Sequence, residues 1–226
     1  MYRERASAVP GAVLWTRTAD AGAARVLPDG CIDLIWGEDA GLFAAGPDTR
    51  AHLSASPPGT RYAGLRFAPG VGPAVLGAPA HELRDRRVPL DALWPSAEAR
   101  RLTERVAAAT DPGTALEAVV LGRPSRPPVP YAPETAAGLA AGARVLDVAA
   151  ALGVSERQLH RRCLDAFGYG PKTLARILRL QRALRLARHG FPFAELAGRA
   201  GYADQAHLAR DVRALTGVPL GRLLTR

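Results

Sequence analysis

Apolar residues between positions 10 and 70 come in short runs broken by Gly and Pro: "AVLWTR", "RVLPDGCIDLIWG", "GLFAAGP" and "YAGLRFAPG". In "CIDLIW" the alternate residues Ile32, Leu34 and Trp36 are apolar, the period of two that marks a strand with one buried face, and Asp29-Gly30 supplies the turn leading in. Several such strands predict a small β-sandwich or barrel. Over residues 72–121 the period lengthens to that of helices. Ser96 is a candidate N-cap for "SAEARRLTERVAAAT", and Asp111 for "DPGTALEAVVLG", where Pro112 takes the first helical position. The first half is therefore expected to be α+β, with strands first and helices after.

Residues 121–133, "LGRPSRPPVPYAP", hold five prolines, which deny helix hydrogen bonds and favour extended backbone. The expected division is a first domain over residues 1–122, a proline-rich linker over 123–133, and an all-α domain over 134–226. In the last of these the periodicity predicts helices at 133–141, 145–152, 156–166, 171–188, 192–200, 205–215 and 219–225. Ser155 and Asp204 stand at N-cap positions, and glycines stand where helices should stop.

The all-α half repeats itself. "VLDVAAALGVSERQLHRRCLDAFG" aligns with "FAELAGRAGYADQAHLARDVRALTG" at an offset of 48 that becomes 49, pairing Ala149 with Ala197, Gly153 with Gly201, Leu159 with Leu208, Arg161 with Arg210 and Gly168 with Gly217. Each copy spells a short helix, a tight turn with Gly, and a second helix of about eleven residues, the layout of a helix-turn-helix. With Leu159 buried as anchor, Arg157, Gln158, His160 and Arg161 fall on the exposed face of the second helix. With Leu208 buried, Gln205, Ala206, His207 and Arg210 do the same in the other copy. Arg can pair bidentately with guanine and Gln with adenine in a major groove, at about 1–3 kcal/mol of discrimination for each good pair. The helix between the copies, residues 171–188, would be about 27 Å long, close to the roughly 34 Å between successive major-groove faces of a duplex.

Charge agrees with an anionic partner for this half. The chain carries +9 at neutral pH; residues 1–133 hold 15 Arg against 14 acids, and residues 134–226 hold 15 Arg and Lys against 7 acids, so +8 lies in the second half. No apolar run approaches the 18 residues of a membrane span, and the N-terminal stretch lacks the apolar segment of a secretory signal. Cys31 and Cys163 form no CxxC pair, so neither a disulfide framework nor a zinc site is expected. His52, His81, Asp33 and Asp48 lack metal-ligand spacing, and no metal or other cofactor is expected. A reduced, cytoplasmic setting is the reading these features favour.

Residues 134–226 resemble the AraC/XylS class of bacterial transcription regulators, whose DNA-binding unit is two helix-turn-helix motifs joined by a long helix. The sharpest likeness lies in "ELAGRAGYADQAHLARDVRALTGV". The resemblance implies that the base-facing positions fall on Arg157, His160 and Arg161 in the first motif and on Gln205, Ala206, His207 and Arg210 in the second, and that Arg179 is structural. Leu208 and Val212 stand where the class usually has Phe. "VLPDGCIDLIWG", "AAGPDTR" and "GLRFAPGVGPAVLGAPAHELRDRRVPLDALW" resemble an uncharacterised domain often found ahead of such pairs, commonly a cupin-like barrel that senses small molecules or dimerises. The partners so implied are double-stranded DNA, a small-molecule effector, a second copy of the chain as homodimer and, for an activator, RNA polymerase. Asp33, Trp36 and Arg66 are the candidate lining of an effector pocket. The expectation is thus a sequence-specific transcription regulator rather than an enzyme. The alternative is a DNA-repair enzyme docked by the paired motifs, with Cys31 as a reactive thiol.

Overall fold

The computed structural model describes residues 1–124 and 126–224. Strands β1 (Tyr2–Ala6), β2 (Ala12–Thr18), β4 (Ile32–Gly37), β5 (Gly41–Ala45), β7 (Arg61–Phe67) and β8 (Arg87–Pro89) form one sheet in the order β1-β2-β7-β4-β5-β8, and β3 (Ala24–Val26) pairs with β6 (His52–Ser54) as a separate ribbon. Every pairing is antiparallel. The large sheet is open, with β1 and β8 as edges, so the cupin-like closed barrel is not what this sheet forms. Helices close one face instead.

Strand alternation separates the two faces. Leu14, Leu65, Leu34, Ala44 and Val88 stand opposite one another across the sheet and are buried. They pack with residues of α1 (Gly72–Leu76), α2 (Ala80–Leu83), α3 (Ser96–Ala107) and α4 (Pro112–Leu121) in one core. Asp111 caps α4 as expected, accepting from Gly113 and Thr114. Ser96 does not cap α3: Pro95 holds the cap position in extended conformation, and Ser96 is the first helical residue. The other face of the sheet carries polar and aromatic side chains under the β3–β6 ribbon.

Beyond α4 the chain is helical: α5 (Ala132–Ala140), α6 (Val145–Ala151), α7 (Glu156–Phe167), α8 (Pro171–Arg188), α9 (Phe193–Ala200), α10 (Gln205–Thr216) and α11 (Leu220–Leu224). The first six fall within a residue of the boundaries predicted from periodicity. The end of the seventh predicted helix, at Thr225, lies with Arg226 outside the described residues. The second core contains Leu159, Cys163 and Phe167 of α7, Leu174, Ile177, Leu180 and Leu184 of α8, and Leu208, Val212 and Leu215 of α10. Leu208 and Val212 are thus fully engaged in packing despite being smaller than Phe.

The halves touch. Leu27, before the first helix of either core, packs on the second core, Gln181 on α8 donates to the Pro28 carbonyl at 2.6 Å, and Gly168 fits against Pro47 and the Ala80 carbonyl, where a Cβ would come within 2.7 Å and 3.0 Å.

Candidate nucleic-acid interface and the cavity behind it

The two repeated units fold as the alignment requires. In the first, α6 leads through a turn at Gly153 into α7; in the second, α9 leads through Gly201 into α10, and both glycines take positive φ, +63° and +87°, where a Cβ would be strained. Ala149 and Ala197 are buried on the leading helices, which lets them cross close to α7 and α10. Leu159 and Leu208 are buried anchors.

With those anchors in place, Arg157, Gln158, His160 and Arg161 are exposed on α7, as are Gln205, Ala206 and Arg210 on α10, with His207 half-buried. Three of the polar side chains carry local duties. Gln158 is the far half of a capping box: its amide oxygen accepts from the Ser155 N–H at 2.9 Å while Ser155 Oγ accepts from the Gln158 N–H at 3.2 Å. Its amide nitrogen alone is left for a base. The His160 ring leans over Gly170, where a Cβ would stand 2.5 Å from it. His207 meets the Tyr202 ring edge-on at 5.1 Å. Of the predicted set, Arg157, Arg161, Gln205 and Arg210 remain as exposed polar side chains.

Behind α10 lies a polar network that sequence reasoning did not find. Buried Asp211 accepts from Arg176 Nε and sits 3.6 Å from Arg179 Nη2, both on α8. Arg179 also lies 4.5 Å over the Tyr202 ring. Burial, followed by the nearby Asp211 carboxylate, pushes the Tyr202 phenol up to about 12. Arg179 is therefore a packing residue. An Asp at a helix position three past Leu208 gives no sequence cue to its partners, which lie 35 and 32 residues upstream.

The polar face of the sheet lines a cavity of about 230 Å³. Three rungs of side chains cross its floor, set by strand register: Arg66, Asp33, Ala45 and Arg87; then Trp15, Gly64, Ile35 and Phe43; then Arg17 and Tyr62. The Trp15 indole lies directly over Gly64, where a Cβ would come within 2.3 Å, and its Nε1 donates to Asp33 Oδ1 at 2.7 Å. Val26 and Ser54 line the ribbon side. Asp33 and Arg66 both line this cavity, 3.5 Å apart. Trp36 does not line this cavity: alternation sends it to the opposite face from Asp33, into the sheet–helix core. The missed lining residues, Trp15 and Phe43 above all, are set by register between strands distant in sequence.

His52 and Asp48 also border the cavity, whereas His81 lies 3.3 Å from Asp165 on α7. Among the described residues no three His, Cys, Asp or Glu side chains are grouped to hold a metal, and no helix is long and apolar enough to cross a membrane.

With this geometry, the family comparisons fall into place. Residues 148–226 match the helix-turn-helix domain family, a match that spans α7 and α10. This part of the chain is a helix-turn-helix domain. Residues 12–89 match a domain of unknown function, DUF6597, which covers the large sheet from β2 to β8. The whole chain shares its fold with ToxT from Vibrio cholerae: one structure aligns at 10% identity over 97% of this chain and 98% of that one with a TM-score of 0.53. A second aligns at 10% identity over 96% and 98%, with a TM-score of 0.51. The C-terminal domain of AraT, a response regulator from Geobacillus stearothermophilus, is 23% identical over 43% of this chain and 86% of that one, with a TM-score of 0.40. No curated protein sequence matches significantly. The chain carries a helix-turn-helix DNA-binding domain behind a sheet-rich domain.

Proposed function

We propose that α7 and α10 read two adjacent major-groove segments of double-stranded DNA, with Arg157 and Arg161 specifying the first box and Gln205 and Arg210 the second. The supporting observation is that both helices turn the same register positions outward while their leucine anchors are buried and Arg179 is turned to Asp211 and Tyr202. His160, His207, Gln158 and Ala206 contribute in this reading as backbone contacts or by shape. Residues 134–226 act as the DNA-binding domain and residues 1–122 as the sensing domain, joined through 123–133. The setting is the bacterial cytoplasm, and the homodimer and RNA polymerase contacts belong to the same reading by resemblance.

In this reading the cavity holds a small-molecule effector, and its lid carries the signal. Strand β3 lines the cavity with Val26 and turns Arg25 the other way, where Arg25 donates to the Thr216 carbonyl at 2.8 Å; next to it the Ala51 N–H donates to the Leu215 carbonyl at 2.7 Å. Two C-terminal carbonyls of α10 are thus satisfied by the sensing half, and a guanidinium sits at the helix's negative end. A lid that shifts on ligand binding changes the capping of the second recognition helix.

Selection from a randomised duplex library with the full chain tests the DNA reading. Two enriched boxes about one helical turn apart support it; no enrichment, or one box only, contradicts it. The repair-enzyme alternative finds no activated thiol. Burial and the neighbouring carboxylates Asp29 and Asp33 hold Cys31 protonated, and burial pushes Cys163 up to about 12.

A further inference from the structure

The cavity has an uncompensated end. Glu4, Asp29 and Asp33 converge on one guanidinium, that of Arg66, at 4.0, 3.6 and 3.5 Å. Arg87 adds no free charge, because Asp48 takes two of its nitrogens at 2.6 and 2.7 Å. Burial, then Arg87, lowers His52 below its ordinary range, so it is neutral at pH 7. Arg17 stands two rungs away, about 13 Å along the strand. At this end of the lining Asp29, Asp33 and Asp48 stand against Arg66 and Arg87, with Glu4 a further carboxylate behind Arg66, and Arg66 Nε, buried without a hydrogen bond, already faces Asp29 and Asp33. The next rung is aromatic and apolar: Trp15 with Tyr2 stacked on it at 6.2 Å, beside Ile35 and Phe43.

From this we infer that the effector is a small organic cation, an ammonium or amidinium head seated at Asp33 and Asp29 with an aromatic or aliphatic body over Trp15 and Phe43. The inference rests on the sensor reading of the cavity and names the ligand class. An anion would face three carboxylates with one shared guanidinium. A cation supplies the missing charge, and aromatic walls favour it further. Size agrees: an apolar cavity of about 150 Å³ takes a benzene, so 230 Å³ accommodates one ring with a short charged arm. Burial raises the Asp33 carboxyl to about 7 against the opposing pull of Arg66. The titratable and charged groups around it are Arg66, Arg87, Asp29 and Cys31, with Glu4 behind Arg66 and Asp48 and His52 across the cavity. A bound cation favours the ionised carboxyl, so affinity rises as pH rises through that value.

Titration calorimetry of the full chain with 2-phenylethylamine, 2-phenylethanol and phenylacetate, matched in size and different in charge, tests this. The amine is expected to bind at least about tenfold tighter than the alcohol, tightening from about pH 6 to pH 8, with phenylacetate silent. Asp33→Asn removes the preference and the pH dependence. Arg66→Gln acts in the opposite direction, strengthening amine binding, so the test survives if one variant fails to fold. Phenylacetate binding best and lost in Arg66→Gln overturns the cation. Equal binding of all three also overturns it while leaving the sensor reading intact. No binding of the amine at millimolar concentration overturns it and removes the support for a sensor cavity, with the library selection still standing as the separate test of DNA reading.

Discussion

Two helix-turn-helix units of one repeat are held in different ways. Both second helices have a C-terminal carbonyl bound by an arginine of the sheet-bearing half: Arg84 donates to Gly168 at the end of α7 at 3.2 Å, and Arg25 to Thr216 at the end of α10. The supports differ. Arg84 follows α2, whose Ala80 and Leu83 are buried in the sheet–helix core, whereas Arg25 belongs to the cavity lid. At their N-terminal ends α7 has the reciprocal Ser155–Gln158 box, and α10 has the one-sided Asp204 cap, in which Asp204 accepts from the His207 N–H at 2.6 Å. Along its length α10 depends on buried charge through Asp211. The first motif is fixed by local backbone chemistry and a rigid neighbour. The second is held by long-range contacts that the cavity can reach, so regulation should act on the second box.

The sharpest way to break this asymmetry is Asp211→Ala. It leaves Arg176 and Arg179 without their buried partner; the two arginines are partly solvated, which discounts the full cost of a broken buried pair to about 2–3 kcal/mol. Chemical denaturation of the full chain measures the loss, and a footprint should lose the second box first. Equal loss of both boxes would mean that the units are not separately supported.

Arg161→Ala and Arg210→Ala come next. Each should cost about 2 kcal/mol of discrimination in its own box and leave preference in the other unchanged. Competition binding with single-base variants reads this directly, and equal weakening on cognate and scrambled duplex would assign the side chain to phosphate.

Arg25→Ala sharpens the comparison further. The loss of a charged donor to a helix end is worth about 1.5 kcal/mol, and it should appear in the second box alone. Any effect of a cavity ligand on DNA affinity should shrink in this variant. An undiminished ligand response would move the signal to the Gln181–Pro28 contact instead.

How far the sequence showed this asymmetry can be judged residue by residue. The repeat, the anchors Leu159 and Leu208, and the caps Ser155 and Asp204 were legible because each rests on spacing within one turn or one helix. The spacing of Ser155 and Gln158 is itself a capping-box signature, although the exposed position of Gln158 draws it equally toward base reading. Strand parity was also legible: residues that alternate cannot share a face, so Asp33 and Trp36 could not both line one cavity. What could not be read was register and tertiary pairing. Nothing local tells that Trp15 stands beside Asp33, that Asp211 meets Arg176, or that Arg25 ends its reach at Thr216, 191 residues on.

The smallest expected effect falls on the first motif. Ser155→Ala removes the side-chain half of the capping box, which frees the Gln158 N–H and loosens the amide oxygen from the Ser155 backbone; such a loss costs about 1 kcal/mol. Because Leu159, the α2 contacts and Arg84 remain, α7 should stay docked and the first box should weaken only slightly. The second box should not change, since its support runs through α8 and the lid. The variant also frees the Gln158 amide from its cap, so a change in base preference in the first box, beyond uniform weakening, would show that Gln158 reads DNA when it is not held by Ser155.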